Sequence, residues 1–444
     1  MSGRVFNSFT CVALGIALAA TAYGGVETQI GEVSSWLLGW DAVKGADGTL
    51  YVTWSDNHYI KLAVSADNGK TWNITEPSTA HDGTFRSPVM AVDGNGNVFI
   101  FARWHPAYPG NPDPYSAGTI DIYAVTNVTG SWTEELVIED STYHNGYSSS
   151  NNSALPWDAF VDAADNVHLF LNHYYWWSYG GQVWEKIRSP GQAGTWGDLI
   201  KAIHIYTSSV DTQTHGSENV VQTSDGGAAI ISLNSTGGYA FYVTRSAAGA
   251  WSAPTTIATA PNYGDVTLDV DEKDHIHALY MGPDYRTLNY VRNWGTPETV
   301  LTLPGENDRC PYSVIDADAY GHVSIEFRSY DYPNGVYTWY MTRVERDEGE
   351  PWSDPVPYAD LVTSVTEVVS VQRFQMYHGG AFNSPLEWIY YGPSGTGYPL
   401  TIRYWREEED VEVLLSDINE DGYIDDKDMM ILMSEWHRGA PPQN

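Results

Sequence analysis

One unit recurs along this chain and limits what it can fold into. Each copy runs as an apolar strand, a tight turn and a second apolar strand. The copies are "DAVKGADGTLYVTW" from Asp41, "SPVMAVDGNGNVFIFARW" from Ser87, "WDAFVDAADNVHLFLNH" from Trp157, "ENVVQTSDGGAAIISLN" from Glu218, "GDVTLDVDEKDHIHALY" from Gly264 and "YSVIDADAYGHVSIEFR" from Tyr312. A degenerate seventh, "EVVSVQRFQMYHGGAFNSPLEWIYYG", starts at Glu367. A third alternating strand follows, such as "IDIYAVT" or "LNYVR", and a tryptophan closes each unit: Trp72, Trp132, Trp196, Trp251, Trp294, Trp352 and Trp405. The closures lie about 43 to 64 residues apart, a period typical of propeller blades. Sheets set radially around an axis protect one another's edges. The repeat therefore predicts an all-β, seven-bladed β-propeller, with six blades as the alternative. The single uninterrupted period argues against a string of β-sandwiches.

Composition supports short strands. Of 444 residues, 18 are Trp, 31 Tyr and 41 Gly, a mixture of strand formers and turn formers. The formal charge of −34 would repel nucleic acid and anionic membranes, so neither is expected as a partner. The opening "MSGRVFNSFTCVALGIALAATAYGG" has Arg4, an apolar run from Phe9 to Ala19 and small residues at Ala20-Thr21-Ala22. It reads as a secretory signal over 1–22, too short to span a bilayer, and predicts a secreted or cell-surface protein without membrane insertion. Cys11 leaves with the signal, so Cys310 alone remains and no internal disulfide is expected. Cys310 reads as a buried small hydrophobe.

The stretch "SADNGKTW", Ser65 to Trp72, combines turn formers with an aromatic anchor. It resembles the Asp-box of BNR-repeat proteins, the family of sialidases and related propellers, at Ser65, Asp67, Gly69, Thr71 and Trp72. Only this unit carries the motif whole. The resemblance implies a structural box on a turn away from the active site.

From Asp417 the chain reads "DINEDGYIDDKDMMILMSEW". Asp417, Asn419, Asp421, Tyr423 through its carbonyl, Asp425 and Asp428 stand at the alternating positions of a calcium loop, and Gly422 permits the sharp turn. An apolar helix is predicted over Met429 to Trp436. With Asp closing the loop, the tail resembles a dockerin repeat, of which one copy is visible. That implies Ca²⁺ and a cohesin-like or cell-surface partner; no organic cofactor is expected. The acidic stretch "REEEDVEVL" marks the boundary between a propeller over 30–406 and a linker and tail over 407–444.

In a propeller, the start of each first strand and the end of each second strand share one rim. Before first strands stand His81, Arg86, Asp158, Glu218, Asp265 and Tyr312. After second strands stand Arg103, Trp104, His105, His173, Tyr174, Tyr175, Trp176, Trp177, Tyr285, Arg286, Arg328 and Tyr330. Aromatic faces suit sugar rings, and guanidinium forks grip carboxylates or sulfates. His168, His277 and His322 follow the turns and read as packing positions. Arg86 in "FRSP" resembles the Arg-x-Pro of sialidases. "SPVMAVDGNGNVFIFARWH" resembles the propellers that include ulvan lyases. In those, paired histidines and a tyrosine act on an acidic polysaccharide. His105 matches the second histidine; the first falls near Phe85, with His81 four residues away.

Several functions fit this rim, most of them on extracellular polysaccharide, with a structural or protein-binding propeller as the remaining reading. In a lyase, Arg86 or Arg328 would neutralise a uronate carboxylate, His105 or His173 would remove the C5 proton, and Tyr174 would protonate the leaving oxygen. In a hydrolase, Asp158 and Glu218 would serve as acid and base or nucleophile; a sialidase-like exo-glycosidase is a separate alternative. In a non-catalytic binding propeller, Trp104, Trp176, Trp177, Tyr285, Arg286, Tyr312 and Tyr330 would line the sugar groove.

Overall fold

Middle strands such as "IHALYM" are apolar at successive positions, so they must be covered on both faces, whereas alternating strands need cover on one. The computed structural model meets that demand by stacking sheets. It describes residues 25–33, 37–56, 59–78, 83–106, 121–139, 154–173, 182–204, 210–211, 219–234, 238–259, 266–271, 273–305, 313–317, 321–331, 338–357, 370–373, 375–376, 387–393 and 400–407. Every regular element among them is a strand. The signal segment, the calcium-loop tail and Cys310 lie outside the described residues.

The described strands form seven sheets, numbered I to VII, each built on an antiparallel meander; two short strands join them, Val210–Asp211 antiparallel to the second strand of IV and Gln375–Met376 parallel to the first strand of I. Sheet I holds Leu37–Lys44, Leu50–Asp56, Tyr59–Ser65 and Asn73–Thr75. Sheet II holds Gly83–Val92, Val98–Pro106, Asp121–Thr126 and Thr133–Ile138. Sheet III holds Ala154–Val161, Val167–His173, Gln182–Arg188 and Trp196–His204. Sheet IV holds Val220–Gln222, Ala228–Asn234, Tyr239–Arg245 and Thr255–Thr259. Sheet V holds Val266–Val270, Ile276–Met281, Thr287–Arg292 and Glu298–Thr302. Sheet VI holds Ser313–Ala317, Val323–Asp331, Thr338–Arg346 and Val356–Pro357. Sheet VII holds Ser370–Arg373, Glu387–Pro393, Leu400–Glu407 and, as its outer strand, Gly25–Val33 from the other end of the chain.

Each first strand touches the first strand of the next sheet, and that of VII touches that of I, so the cycle is closed. This is the architecture expected of a propeller. The repeat units begin at Asp41, so nothing in the repeat announced that Gly25–Val33 would complete the last sheet. Burial falls outward: Ile276–Met281 is buried at every position, while Glu298–Thr302 of the same sheet is largely exposed. The core consequently lies between sheets. Phe99 and Phe101 of sheet II, for example, meet Val167, Leu169 and Leu171 of sheet III. Each such side chain contributes about 1.5–3 kcal/mol on burial.

The closing tryptophans plug these seams. Trp196 meets Phe101, Trp251 meets Phe170, Trp294 stacks on Tyr242, Trp352 meets Tyr290 and Trp72 meets Tyr404, each time across to the preceding sheet. Sequence reading had not anticipated the ion pairs beside them. The third strands of sheets III to VI end in Arg188, Arg245, Arg292 and Arg346. Arg188 grips Glu135 of sheet II with Nε and Nη2, each at 2.9 Å, and Trp196 donates to the same carboxylate. Arg245 Nε lies 3.3 Å from the Glu185 carboxylate of sheet III, to which Trp251 donates, and Arg346 pairs with Glu298 of sheet V.

Short turns join first to second and third to fourth strands on one rim. Asp93, Asp162 and Asp271 end first strands there. Asp93 Oδ1 accepts from the amides of Asn95 and Asn97, and Asn97 Nδ2 donates to Asp93 Oδ2. Asp162 repeats this with Ala164 and Asn166, and Asp271 with Lys273 and His275. His168 and His277 are buried on the following strands, as packing positions should be; His322 is half-buried and meets Asp347 at 3.0 Å. His168 lies 2.7 Å from Glu185 and 3.2 Å from Asp162. Burial pulls its pKa down, but the two carboxylates outweigh that, and it ends raised. Burial wins at His277, whose pKa is lowered against the pull of Asp269 and Asp271.

Two predictions follow from the seams and turns. Glu135→Ala leaves the fully buried Arg188 without its carboxylate and should cost about 3–5 kcal/mol, read as a lower denaturant midpoint at constant slope. The two histidines should act on opposite sides of pH 6.5, their common reference. The His168 contribution is complete below 6.5 and fades as pH rises through its raised folded value. The His277 contribution is complete above 6.5 and fades as pH falls through its lowered value. Urea unfolding of His168→Gln and His277→Gln across this range should therefore differ from the parent on the acid side for the first and the alkaline side for the second.

Candidate functional site

The two rims differ in construction. On the turn rim, connections such as 93–97 and 162–166 are brief and closed by aspartate side chains. On the opposite rim, called the open rim, described strands of sheets II and III end where the sequence runs on through 107–120, 140–153 and 174–181, which lie outside the described residues. Their sequences are rich in aromatics and polar groups, as in "YYWWSYGG" from Tyr174. Loops on a rigid scaffold are where binding groups gather.

The first strands of sheets I, II and III each carry a bulge near this rim, between Leu37 and Trp40, Arg86 and Val89, and Pro156 and Asp158. A bulge twists a strand and re-aims the side chains beside it. In sheet II it brings Ser87 to φ 50°. Gly39 in sheet I, at φ 113°, lies against it: a Cβ there would come within 2.7 Å of the Ser87 Cα. Only glycine lets the two strands approach this closely.

Next to that contact, Arg86 stands directly opposite Arg103. Arg86 is 9% exposed. Arg103 lies two residues beyond Phe101, on the face turned toward sheet III. Two guanidinium-bearing residues thus stand in register on adjacent strands of a chain of charge −34. The neighbouring positions are aromatic: Trp104 and buried Phe85 both meet Tyr123 edge-on, with centroids 6.1 and 6.4 Å apart. His105 pairs with Thr84 in sheet II, and His173 pairs with Ala154 in sheet III, so both strands end on the open rim.

Asp158 has a different situation. It is buried, and its carboxylate accepts three amides: Ala159 on Oδ1 at 2.8 Å, and Asn219 and Val220 of sheet IV on Oδ2 at 3.1 and 3.0 Å. It straps sheet III to sheet IV. Asp41, at the equivalent place in sheet I, bonds Ala42 and reaches Met90 of sheet II at 2.6 Å. Asp269 reaches Ala317 of sheet VI at 2.8 Å. Sequence reasoning saw acids near a rim and missed the straps; the signal was the recurrence of aspartate in first strands.

Tyr285 and Arg286 lie in the turn between the second and third strands of sheet V. Tyr285 has φ 63°, Asp284 accepts the amides of Arg286 and Thr287, and Arg286 Nη1 bonds the Gly305 carbonyl. Arg328 and Tyr330 pair with Met341 and Trp339 near the end of the second strand of sheet VI. The structure thus brings Arg86, Trp104, His105 and His173 to neighbouring sheets, with Arg328 and Tyr330 on another. Tyr174, Trp176, Trp177, Glu218 and Tyr312 lie outside the described residues, as do all the calcium-loop positions. Among the described residues no three His, Cys, Asp or Glu side chains are grouped to hold a metal, and no helix is long and apolar enough to cross a membrane.

No family model matches this sequence, and no curated protein matches it significantly. Several solved structures share a distant likeness in chain path. A Hadza microbial sialidase is 13% identical with a TM-score of 0.43, over 65% of this chain and 63% of its own. This chain thus spans less than two thirds of that protein's length. The intramolecular trans-sialidase from Ruminococcus gnavus is 12% identical, TM-score 0.43, over 85% and 96% of the two chains. A virginiamycin B lyase from Staphylococcus aureus is 10% identical, TM-score 0.45, over 86% and 99%.

Proposed function

We propose that the seven sheets are seven blades, and that the open rim at sheets II and III binds and cleaves an extracellular acidic polysaccharide as a lyase. The observation that carries this reading is the pair Arg86 and Arg103, opposite one another in sheet II, with His105 two residues beyond Arg103 on the same strand and His173 at the end of the second strand of sheet III. A uronate carboxylate held by guanidinium becomes a better electron sink, and its C5–H becomes more acidic. His105 or His173 removes that proton as general base. The electron pair forms the C4–C5 double bond as the C4–O bond breaks, and Tyr174 gives its proton to the departing oxygen. A hydrolase would need Asp158 free to exchange protons, and its carboxylate already holds three amides.

A panel of uronate-containing polysaccharides should yield an unsaturated product absorbing near about 235 nm, the enol-ether chromophore that elimination leaves. Arg86→Ala should abolish that signal per folded molecule. Asp158→Asn should lower stability by about 1–3 kcal/mol, the cost of weakened buried bonds, while keeping turnover per folded molecule. Reducing ends without the chromophore, lost in Asp158→Asn, would instead assign hydrolysis. Polysaccharide retention with neither product would leave a binding propeller, a reading favoured by the aromatic sequence from Tyr174 to Tyr179.

The signal segment makes this a secreted protein in our reading, and the tail its calcium site and its attachment to a cohesin-like or cell-surface partner. Ca²⁺ would be held by Asp417, Asn419, Asp421, the Tyr423 carbonyl, Asp425 and Asp428. Calorimetry on the full chain should show calcium binding that Asp421→Ala weakens at least about tenfold, since one charged ligand is lost. Chelation should leave the main melting transition in place.

A further inference from the structure

Sheet VII is built from both ends of the chain. Its third strand, Leu400–Glu407, pairs with Glu387–Pro393 on one side and with Gly25–Val33 on the other. An outer strand at a terminus is held along one edge alone and is the element most prone to fray. The seam between VII and I is thus the place where the ring is joined. At seams farther along, the arginine that ends a third strand grips a carboxylate across the gap, as Arg188 grips Glu135. In sheet I the same strand position is Ser65, the first residue of the Asp-box.

The box is closed on itself and pressed against sheet VII. Ser65 Oγ donates to Asp67 Oδ1 at 2.8 Å and accepts the Gly69 amide at 2.9 Å. Asp67 accepts the amide and hydroxyl of Thr71, at 2.9 and 2.6 Å. Trp72 Nε1 donates to the Gly69 carbonyl at 3.1 Å, and its ring meets Tyr404 edge-on at 5.7 Å. Gly69, at φ 75°, lies against the same ring: a Cβ would come within 2.0 Å of it. Tyr404 is buried and pairs directly with Thr28 of the N-terminal strand. That strand also reaches sheet I itself, where a Cβ on Gly31 would sit 3.0 Å from the Trp54 ring.

We propose that the Asp-box is the latch of the ring: it holds Leu400–Glu407, and through it the N-terminal strap Gly25–Val33, against sheet I. It takes the place that an arginine–carboxylate pair fills between sheets II and III, III and IV, and V and VI. This explains why one unit alone carries the box whole: one seam joins the two ends of the chain. The Asp67 carboxyl is held down to about 2, first by the Thr71 hydroxyl and then by its amide. The latch therefore keeps its charge above the ordinary carboxylate range and gives way only as pH falls toward that value.

Native-state hydrogen exchange on the full chain tests this. In Asp67→Ala and Trp72→Phe, the amides of Gly25–Val33 and Leu400–Glu407 should exchange about tenfold faster, while those of sheets III to V keep their rates. Glu135→Gln, which disturbs the staple between II and III, should leave Gly25–Val33 protected. Acceleration confined to 66–75, or equal acceleration at Gly25–Val33 in the Glu135→Gln control, would overturn the proposal. Should the box variants fail to fold, the parent protein in rising sub-denaturing urea gives the same answer: the strap, Leu400–Glu407 and the box should open together with one slope. Separate opening of the box and the strap would overturn it.

Discussion

The rest of the structure depends on a covering problem. The second strand of a sheet is covered on both faces, as the fully buried Ile276–Met281 shows. No sheet can bury both faces by itself, and a stack of finite length would leave two faces bare. A closed cycle removes the bare faces. The requirement passes directly to the seams: apolar side chains fill them, a tryptophan plugs each described turn-rim end, and ion pairs or carboxylate straps tie one sheet to the next.

The acidity of the chain takes on a different meaning in that light. Asp41, Asp158 and Asp269 hold amides of the neighbouring sheet. Asp93, Asp162 and Asp271 organise turns, and Glu135, Glu185 and Glu298 take the seam arginines and tryptophans. A carboxylate accepts several bonds at once, which suits it to ending strands and bridging sheets whose amides have no ladder partner. Part of the negative charge is therefore structural, and an acid near a rim is poor grounds for assigning catalysis. The paired arginines of sheet II are more telling because they run against this charge and because a bulge displaces the strand beside them.

The division of labour between the rims follows from connection length. Turns closed by an aspartate and a few amides have no freedom left for a ligand. The longer stretches that follow strands of sheets II and III carry aromatic and polar sequence, and the bulges of sheets I to III lie near the same ends of the described strands. Scaffold and candidate site thus occupy opposite ends of the same strands, so the rim can vary while the seams are kept.

The sequence by itself determined the strand period, the turns and the closing tryptophans, because these depend on residues a few positions apart. It also marked Ser65 to Trp72 as a self-contained turn and Arg86, His105 and His173 as strand-end residues of one rim. Only the tertiary structure decided what Asp158, Arg188 and Gly69 do. Asp158 finds its amides at Asn219 and Val220, Arg188 finds Glu135, and Gly69 finds the Tyr404 ring. Nor could the period assign Gly25–Val33 to the last sheet, since its partner strand begins at Leu400. These partners lie far off in the chain and are chosen by how sheets stack, which local chemistry does not encode.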